Sequence, residues 1–258
     1  MVMKILAEKP DYFMIAWDSP VKTHRHEAYP EYKANRKKME DDFKDQIPLV
    51  QSIVQELGLP SMVAPGYEAD DILASFALKY KDEPRLSLDI YSGDKDLKQL
   101  LSQNVFCVDP MKNVVTTPQT FFQEFGFPPH HIVDYLSLLG DASDNVKGVA
   151  WIWPKKAMDL IKQYGDLDQI YANIEGLSGE LKEKLLAGKE DAYQSKSLIS
   201  LHAVPEMMDD TLDKFALHMD FDQWKRVLAH EHHFASMEKA IDEVKRKFTM
   251  PTQTSLFG

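Results

Sequence analysis

An α/β fold with a mostly parallel sheet flanked by helices, continuing into an all-helical second half, is predicted by three features of this 258-residue sequence. Short apolar runs alternate with stretches of helical spacing through the first half. From Pro128 onward the helical spacing continues without strands. Acidic residues recur at the ends of the apolar runs, which is where parallel α/β sheets carry their sites.

The elements follow in order. Residues 12–17 form an apolar run that ends at Asp18 and reads as a buried strand. A charged segment covers residues 19–45. Apolar residues at helical spacing over 47–57 predict a helix that Gly58 stops. Residues 61–64 predict a short strand. The stretch 68–80 predicts a helix with Ile72, Leu73, Phe76 and Ala77 on one face. Residues 86–91 and 105–108 read as strands, and 96–101 as the start of a helix. Further helices are predicted over 131–139, 155–164, 167–173, 221–229 and 234–248, with a polar tail over 250–258.

Composition narrows the class. A hydrophobic share of 44% with 28% charged residues is ordinary for a soluble globular chain. No apolar run is long enough to span a membrane, and the first ten residues lack a signal-peptide core. Cys107 is the one cysteine, so an internal disulfide is excluded and a reducing, cytoplasmic setting is expected. A net charge of −11 argues against indiscriminate binding to polyanions.

The distribution of charge is more informative. Asp18 ends the first strand. Glu68, Asp70 and Asp71 lie where a loop enters a helix, Asp94 and Asp96 follow another strand, and Asp141 and Asp144 follow an apolar helix. Each alone reads more simply as a helix cap or a solvated loop residue. Their repeated placement points instead to hard divalent cations, which take oxygen ligands. Carboxylates with few nearby histidines suit magnesium or manganese better than zinc.

In order along the chain, Ala16-Trp17-Asp18, Arg25-His26-Glu27, Tyr32-Lys33-Ala34-Asn35-Arg36, Gly66-Tyr67-Glu68-Ala69-Asp70-Asp71, Ser92-Gly93-Asp94-Lys95-Asp96-Leu97, Asp134-Tyr135-Leu136 and Gly140-Asp141-Ala142-Ser143-Asp144-Asn145 form one set of strings. With these strings, from about residue 8 to residue 200, the sequence resembles the 5′-nuclease domain of bacterial DNA polymerase I and its stand-alone relatives in the flap-endonuclease superfamily. The resemblance implies a PIN-like core over 1–127 with a helical arch at about 19–45, and a helix–three-turn–helix DNA-binding module over 128–200. Helices over 201–249 would pack on the core, and 250–258 would be a flexible tail.

The resemblance also implies an activity: metal-dependent 5′-3′ exonuclease and 5′-flap endonuclease action on DNA in replication and repair, by a monomer. Two or more magnesium or manganese ions would be held or oriented by Asp18, Glu68, Asp70, Asp71, Asp94, Asp96, Asp141 and Asp144. Lys22, Arg25, Lys33, Arg36 and Lys37 would line the arch, with Lys33 and Arg36 on the scissile phosphate, where negative charge builds during hydrolysis. Tyr32 would stack a splayed base.

Two departures from the family pattern stand out. Relatives open with a strand carrying an aspartate in a Leu-Val-Asp-Gly-like motif; that first unit has no counterpart here, and a fragment or a misassigned start is expected. Where relatives read Gly-Val-Pro-Gly-Ile-Gly-Pro-Lys, this sequence has Gly148-Val149-Ala150-Trp151-Ile152-Trp153-Pro154-Lys155. The inner glycines let backbone amides approach a DNA phosphate and a potassium ion. Indoles there either block that approach, stack on DNA or bury against the core. Gly148, Lys155 and Lys156 stay as phosphate contacts, and weakened, salt-sensitive duplex binding is expected, tightened by returning Trp151 and Trp153 to glycine.

The final residues, with Gln253, Leu256 and Phe257, resemble the sliding-clamp-binding pentapeptide of bacterial replication proteins. The chain holds no polymerase segment, so a stand-alone nuclease is expected. The rival readings are a catalytically weakened or inactive, clamp-associated DNA-binding accessory protein and an RNA-processing PIN-type nuclease. The retained carboxylates oppose the first, because a bare acidic cluster repels DNA. The second leaves the helical module unexplained.

Overall fold

The computed structural model describes residues 1–37 and 40–249. The elements run α1 (Val2–Leu6), β1 (Ile15–Trp17), α2 (His24–Ala28), α3 (Asp41–Glu56), β2 (Ser61–Val63), α4 (Ala69–Tyr80), β3 (Leu88–Tyr91), β4 (Val105–Asp109), β5 (Val114–Thr116) and α5 (Pro118–Phe125). They continue with α6 (Ile132–Leu139), β6 (Gly140–Asp141), β7 (Val146–Lys147), α7 (Pro154–Tyr164), α8 (Leu167–Ala172), α9 (Gly179–Ala187), α10 (Lys189–Ile199), α11 (Phe221–Lys225) and α12 (Met237–Thr249). Among the described residues no helix is long and apolar enough to cross a membrane.

Two compact units are present, and they do not follow the linear division expected from the sequence. One gathers residues 1–17, 40–62 and 210–249; the other gathers 18–37 and 63–209. Residues 201–249 are therefore split between them.

In the first unit β1 pairs with β2, and the Ile15 N–H donates to the Pro60 carbonyl at 3.0 Å. The helix α3 begins six residues before the apolar spacing suggests, because Asp41 and Asp42 favour its N-terminal turn and Pro48 is accommodated inside it. Its buried face, Ile53 and Val54, joins Leu6, Phe13, Trp224, Ile241 and Val244 in one core. Trp224 is fully buried, and its Nε1 donates to the Leu57 carbonyl at 2.8 Å, so the indole is satisfied as well as packed.

In the second unit β3 and β4 are parallel, with Leu88 opposite Val105. β4 and β5 are antiparallel, with Cys107 opposite Thr116. Neither β5 nor α5 is among the elements predicted from the sequence. Thr117 caps α5, Pro118 sits at its first position, and Gly126 ends it in the left-handed region at φ 72. The segment expected to start a helix at Asp96 is a 3-10 turn. The main core runs through Leu97, Val105, Phe121, Ile132, Leu138, Leu160 and Leu185. α6 ends in the β6–β7 hairpin, also absent from the sequence reading. There Gly140 (φ 72) and Gly148 approach so closely that a Cβ on Gly148 would lie 2.4 Å from the Gly140 nitrogen.

Candidate active site

The ends of β3, α6 and the loop entering α4 all lie in the second unit, and they carry the predicted carboxylates. Asp18, just past β1, accepts the Ala69 N–H at 3.0 Å and so meets the start of α4. Glu68 precedes that helix and Asp71 sits in its first turn, its Oδ2 accepting the Glu68 N–H at 3.1 Å. Asp94 accepts the Asp96 N–H at 2.8 Å, which tightens the turn after β3. Asp141 Oδ1 accepts the Ser143 N–H at 2.8 Å and its hydroxyl at 2.5 Å, a side-chain turn that shapes the hairpin loop.

The turn at 29–36 is docked on that loop. The Lys33 N–H donates to the Asp144 carbonyl at 2.9 Å. Asn35 Nδ2 donates to the Ala142 carbonyl at 2.6 Å, and Asn145 Nδ2 donates to the Glu31 carbonyl at 2.8 Å. Lys33 itself is left-handed (φ 57), which aims its side chain back over the cluster. Its Nζ donates to Glu68 Oε1 at 2.6 Å. Arg36 pairs with Asp144, its Nε at 3.0 Å from Oδ1. Lys95 donates to Asp141 Oδ2 at 2.5 Å.

Electrostatics separate the carboxylates into two classes. Burial, then the charge of Asp94, pushes the Asp96 carboxyl up to about 7. Burial, then Asp94, Asp18 and Glu68, pushes Asp70 up to about 7 as well. Asp141 is the opposite case: burial acts to raise it, but the Lys95 hydrogen bond and charge hold it below the usual carboxylate range. Asp96 Oδ1 is buried and has no hydrogen-bond partner among the described residues. An orphaned oxygen on a crowded, all-carboxylate site fits a divalent cation, which supplies the missing partner. As placed, no three His, Cys, Asp or Glu side chains among the described residues close around one point. Glu68, Asp144 and Asp141 are instead turned onto Lys33, Arg36 and Lys95.

Three expectations are corrected. Asp71 is 0% exposed and is no metal ligand. Arg25 holds both its oxygens, at 2.7 and 2.8 Å, and the His202 N–H donates to it at 3.0 Å. Burial acts to raise the Asp71 carboxyl, but the Arg25 bonds and charge hold it below the usual range. Arg25 is therefore no DNA contact. Besides Asp71 it donates to the Leu198 carbonyl at 2.7 Å and the Ser200 carbonyl at 3.0 Å, tying α2, α4 and the end of α10 together. Tyr32 presents no face to a base: its ring is buried, and its hydroxyl donates to Glu68 Oε2 at 3.1 Å.

Lys22, Lys37, Lys155 and Lys156 are exposed and make no ion pair among the described residues. Gly148 has a packing reason for its identity, since the Leu139 and Gly140 backbones fill the space of a Cβ. Trp151 and Trp153 are 71% and 68% exposed, which closes the alternative that they bury against the core. Gln253, Leu256 and Phe257 lie outside the described residues. The sequence reading missed Lys95, although it sits inside the Gly-Asp-Lys-Asp string, and it missed the docking amides of Asn35 and Asn145.

Two family models match the chain. The 5′-3′ exonuclease N-terminal resolvase-like domain covers residues 1–126, and the 5′-3′ exonuclease C-terminal SAM fold covers 127–219. A 5′-3′ exonuclease of Aquifex aeolicus is 36% identical over 253 residues, 98% of this chain and 85% of that protein. A thermostable DNA polymerase I of Thermus thermophilus is 36% identical over 201 residues; the match takes in 78% of this chain but only 24% of the polymerase. Among solved structures, T5 D15 protein co-crystallized with metal ions matches with a TM-score of 0.66 at 20% identity, over 94% of this chain and 90% of that one. This last likeness is one of fold.

Proposed function

The chain belongs to the 5′-3′ exonuclease family, and from that premise we propose that it is a divalent-metal-dependent DNA 5′-nuclease acting at 5′ ends and flaps. The observation that carries this reading is that Glu68, Asp70, Asp94, Asp96, Asp141 and Asp144, from three separate stretches of sequence, include charges close enough to act on one another, with Asp70 and Asp96 raised by burial and then by their acidic neighbours. A cluster of this kind without histidine or cysteine matches magnesium or manganese. Bound there, such ions would lower the pKa of water and offset charge on phosphate oxygens.

The chain's own residues do the rest. Asp70 and Asp96 must give up protons before they ligate. Asp94 holds the turn that presents Asp96. Lys33 and Arg36 lie on the carboxylates they pair with, within reach of any phosphate held beside them, and Arg36 is half exposed. Their proposed role is to bind that phosphate. Arg25 and Asp71 are buried on one another, and their proposed role is to position the start of α4.

The test is magnesium-dependent cleavage of a labelled 5′-flap DNA. The unaltered chain cuts, and Asp94→Asn slows cutting on the order of a hundredfold while leaving the melting temperature in place. Equal rates for the two proteins would remove the carboxylates from the chemistry. A second proposal rests on Gln253, Leu256 and Phe257: the tail docks on a bacterial sliding clamp. Immobilised clamp should retain the unaltered chain and release Phe257→Ala.

A further inference from the structure

The loop between β7 and α7 alternates in burial. Val149 and Ile152 point into the core at 3% and 7% exposure, and Ala157 follows them inward from the first turn of α7. Ala150, Trp151, Trp153, Pro154, Lys155 and Lys156 are all on the surface. The inward residues, the Val149 N–H bond to the Leu138 carbonyl at 2.9 Å and the Ile152 N–H bond to the Val149 carbonyl at 3.2 Å fix the loop. The two indoles are thereby held outward on a rigid base. Neither makes a ring contact with another residue among those described. They flank a shallow cavity of about 210 Å³ bounded by Leu139 and residues 148–153.

Trp151 also sits in the left-handed region, at φ 65. A bulky residue is strained there, and a glycine would not be. Its ring gives the core nothing in return, because it is mostly in solvent. An exposed pair of the largest apolar side chains, one of them on strained backbone and both on a fixed loop, has the features of a contact surface. The charge beside it says what the surface meets. Lys147, Lys155 and Lys156 are exposed and unpaired by any acid among the described residues, in a chain of net charge −11. Such a local cationic rim suits a phosphate backbone.

We propose that Trp151 and Trp153 form a stacking face for unstacked DNA bases, those of a single-stranded flap or a frayed 5′ end, while Lys155 and Lys156 take the adjacent phosphates. This rests on the nuclease reading above. Bases inside a closed duplex are already stacked on each other, so the face selects open strands and strand ends. Indoles serve this purpose because every base presents a π-face, whatever its sequence.

The experiment measures equilibrium binding in calcium, which prevents cutting, to three DNAs: a 5′-flap duplex, the same flap with abasic residues, and a dumbbell with no free ends. Trp151→Ala with Trp153→Ala should weaken binding to the base-bearing flap by about tenfold or more, and binding to the dumbbell by less than about twofold. Its dependence on salt should keep the same slope, and Trp151→Phe with Trp153→Phe should restore most of the affinity. Lys155→Ala with Lys156→Ala should instead flatten the salt slope on every DNA by about 2. Abasic substitution should weaken the unaltered chain and leave the double-alanine variant unchanged. Equal or tighter flap binding by the double-alanine variant overturns the proposal and leaves the nuclease reading standing. No DNA binding by the unaltered chain overturns both.

Discussion

Arg25 shows how a residue's sequence context can mislead about its work. It lies in a basic segment, where a phosphate contact is the natural expectation, yet it is 2% exposed and spends its guanidinium on Asp71 and two carbonyls. The signal that could have corrected the reading is Asp71 itself, one aspartate more than the start of α4 can turn toward a ligand. Removing one member of a buried pair strands the other, so Arg25→Ala should cost about 3–5 kcal/mol in urea unfolding. A loss under about 1 kcal/mol would show that the pair is not buried in solution. Asp70 and Asp96 behave in the opposite sense to Asp71. Their folded pKa values lie above the unfolded ones, so their contribution to stability is full below about 4 and is lost as pH rises through about 7. Metal ligation needs both deprotonated, so manganese affinity measured calorimetrically should rise about tenfold or more between pH 6 and pH 8, with proton release. Affinity independent of pH would show that neither carboxylate is a ligand.

Elements were legible where their apolar spacing was long and illegible where they were short or capped by local chemistry. The helices α4, α6, α7 and α8 lie close to their expected positions, because each buries a continuous apolar face. α5 was missed although Thr117, Pro118 and Gly126 spell its start and stop. The β6–β7 hairpin was missed because two-residue strands carry no periodicity; what marks it is a pair of glycines eight residues apart. Those glycines allow a contrast. A Cβ on Gly148 would meet the Leu139 and Gly140 backbones at 2.2 and 2.4 Å, which cannot yield without moving the hairpin. A Cβ on Gly126 would meet only the Lys162 side chain, which can swing away. Gly148→Ala should therefore destabilise by about 2–3 kcal/mol and disturb Asp141 and Asp144 with it. Gly126→Ala should cost about 1 kcal/mol, the charge for its positive φ alone. Equal losses in thermal melts would mean that the hairpin is not packed as described.

At the scale of the whole molecule, sequence order hides the organisation. The carboxylates come from separate stretches spread between Asp18 and Asp144, and the family strings brought them together on paper before any geometry did. The interleaving of the two units left no such trace. Residues 1–17, 40–62 and 210–249 share one core, and periodicity says nothing about which distant helices will meet. A chain ended at residue 209 should therefore expose Leu6, Phe13, Ile53 and Val54, which lose Trp224, Ile241 and Val244. It should bind a hydrophobic dye strongly and precipitate where the full chain does not. A shortened chain that stays dye-free would show that this core closes without α11 and α12.

The lone thiol has a practical consequence. Cys107 lies inside β4, 6% exposed, with its sulfur directed at the Leu97 carbonyl and its ionisation pushed up to about 11 by burial. It is thus inert toward maleimides near neutrality. A cysteine introduced at exposed Ala150, beside the two indoles, would be the sole reactive handle, so one fluorophore could be attached there without first engineering the native residue away. Its quenching would then follow, molecule by molecule, each arrival of an oligonucleotide at that loop.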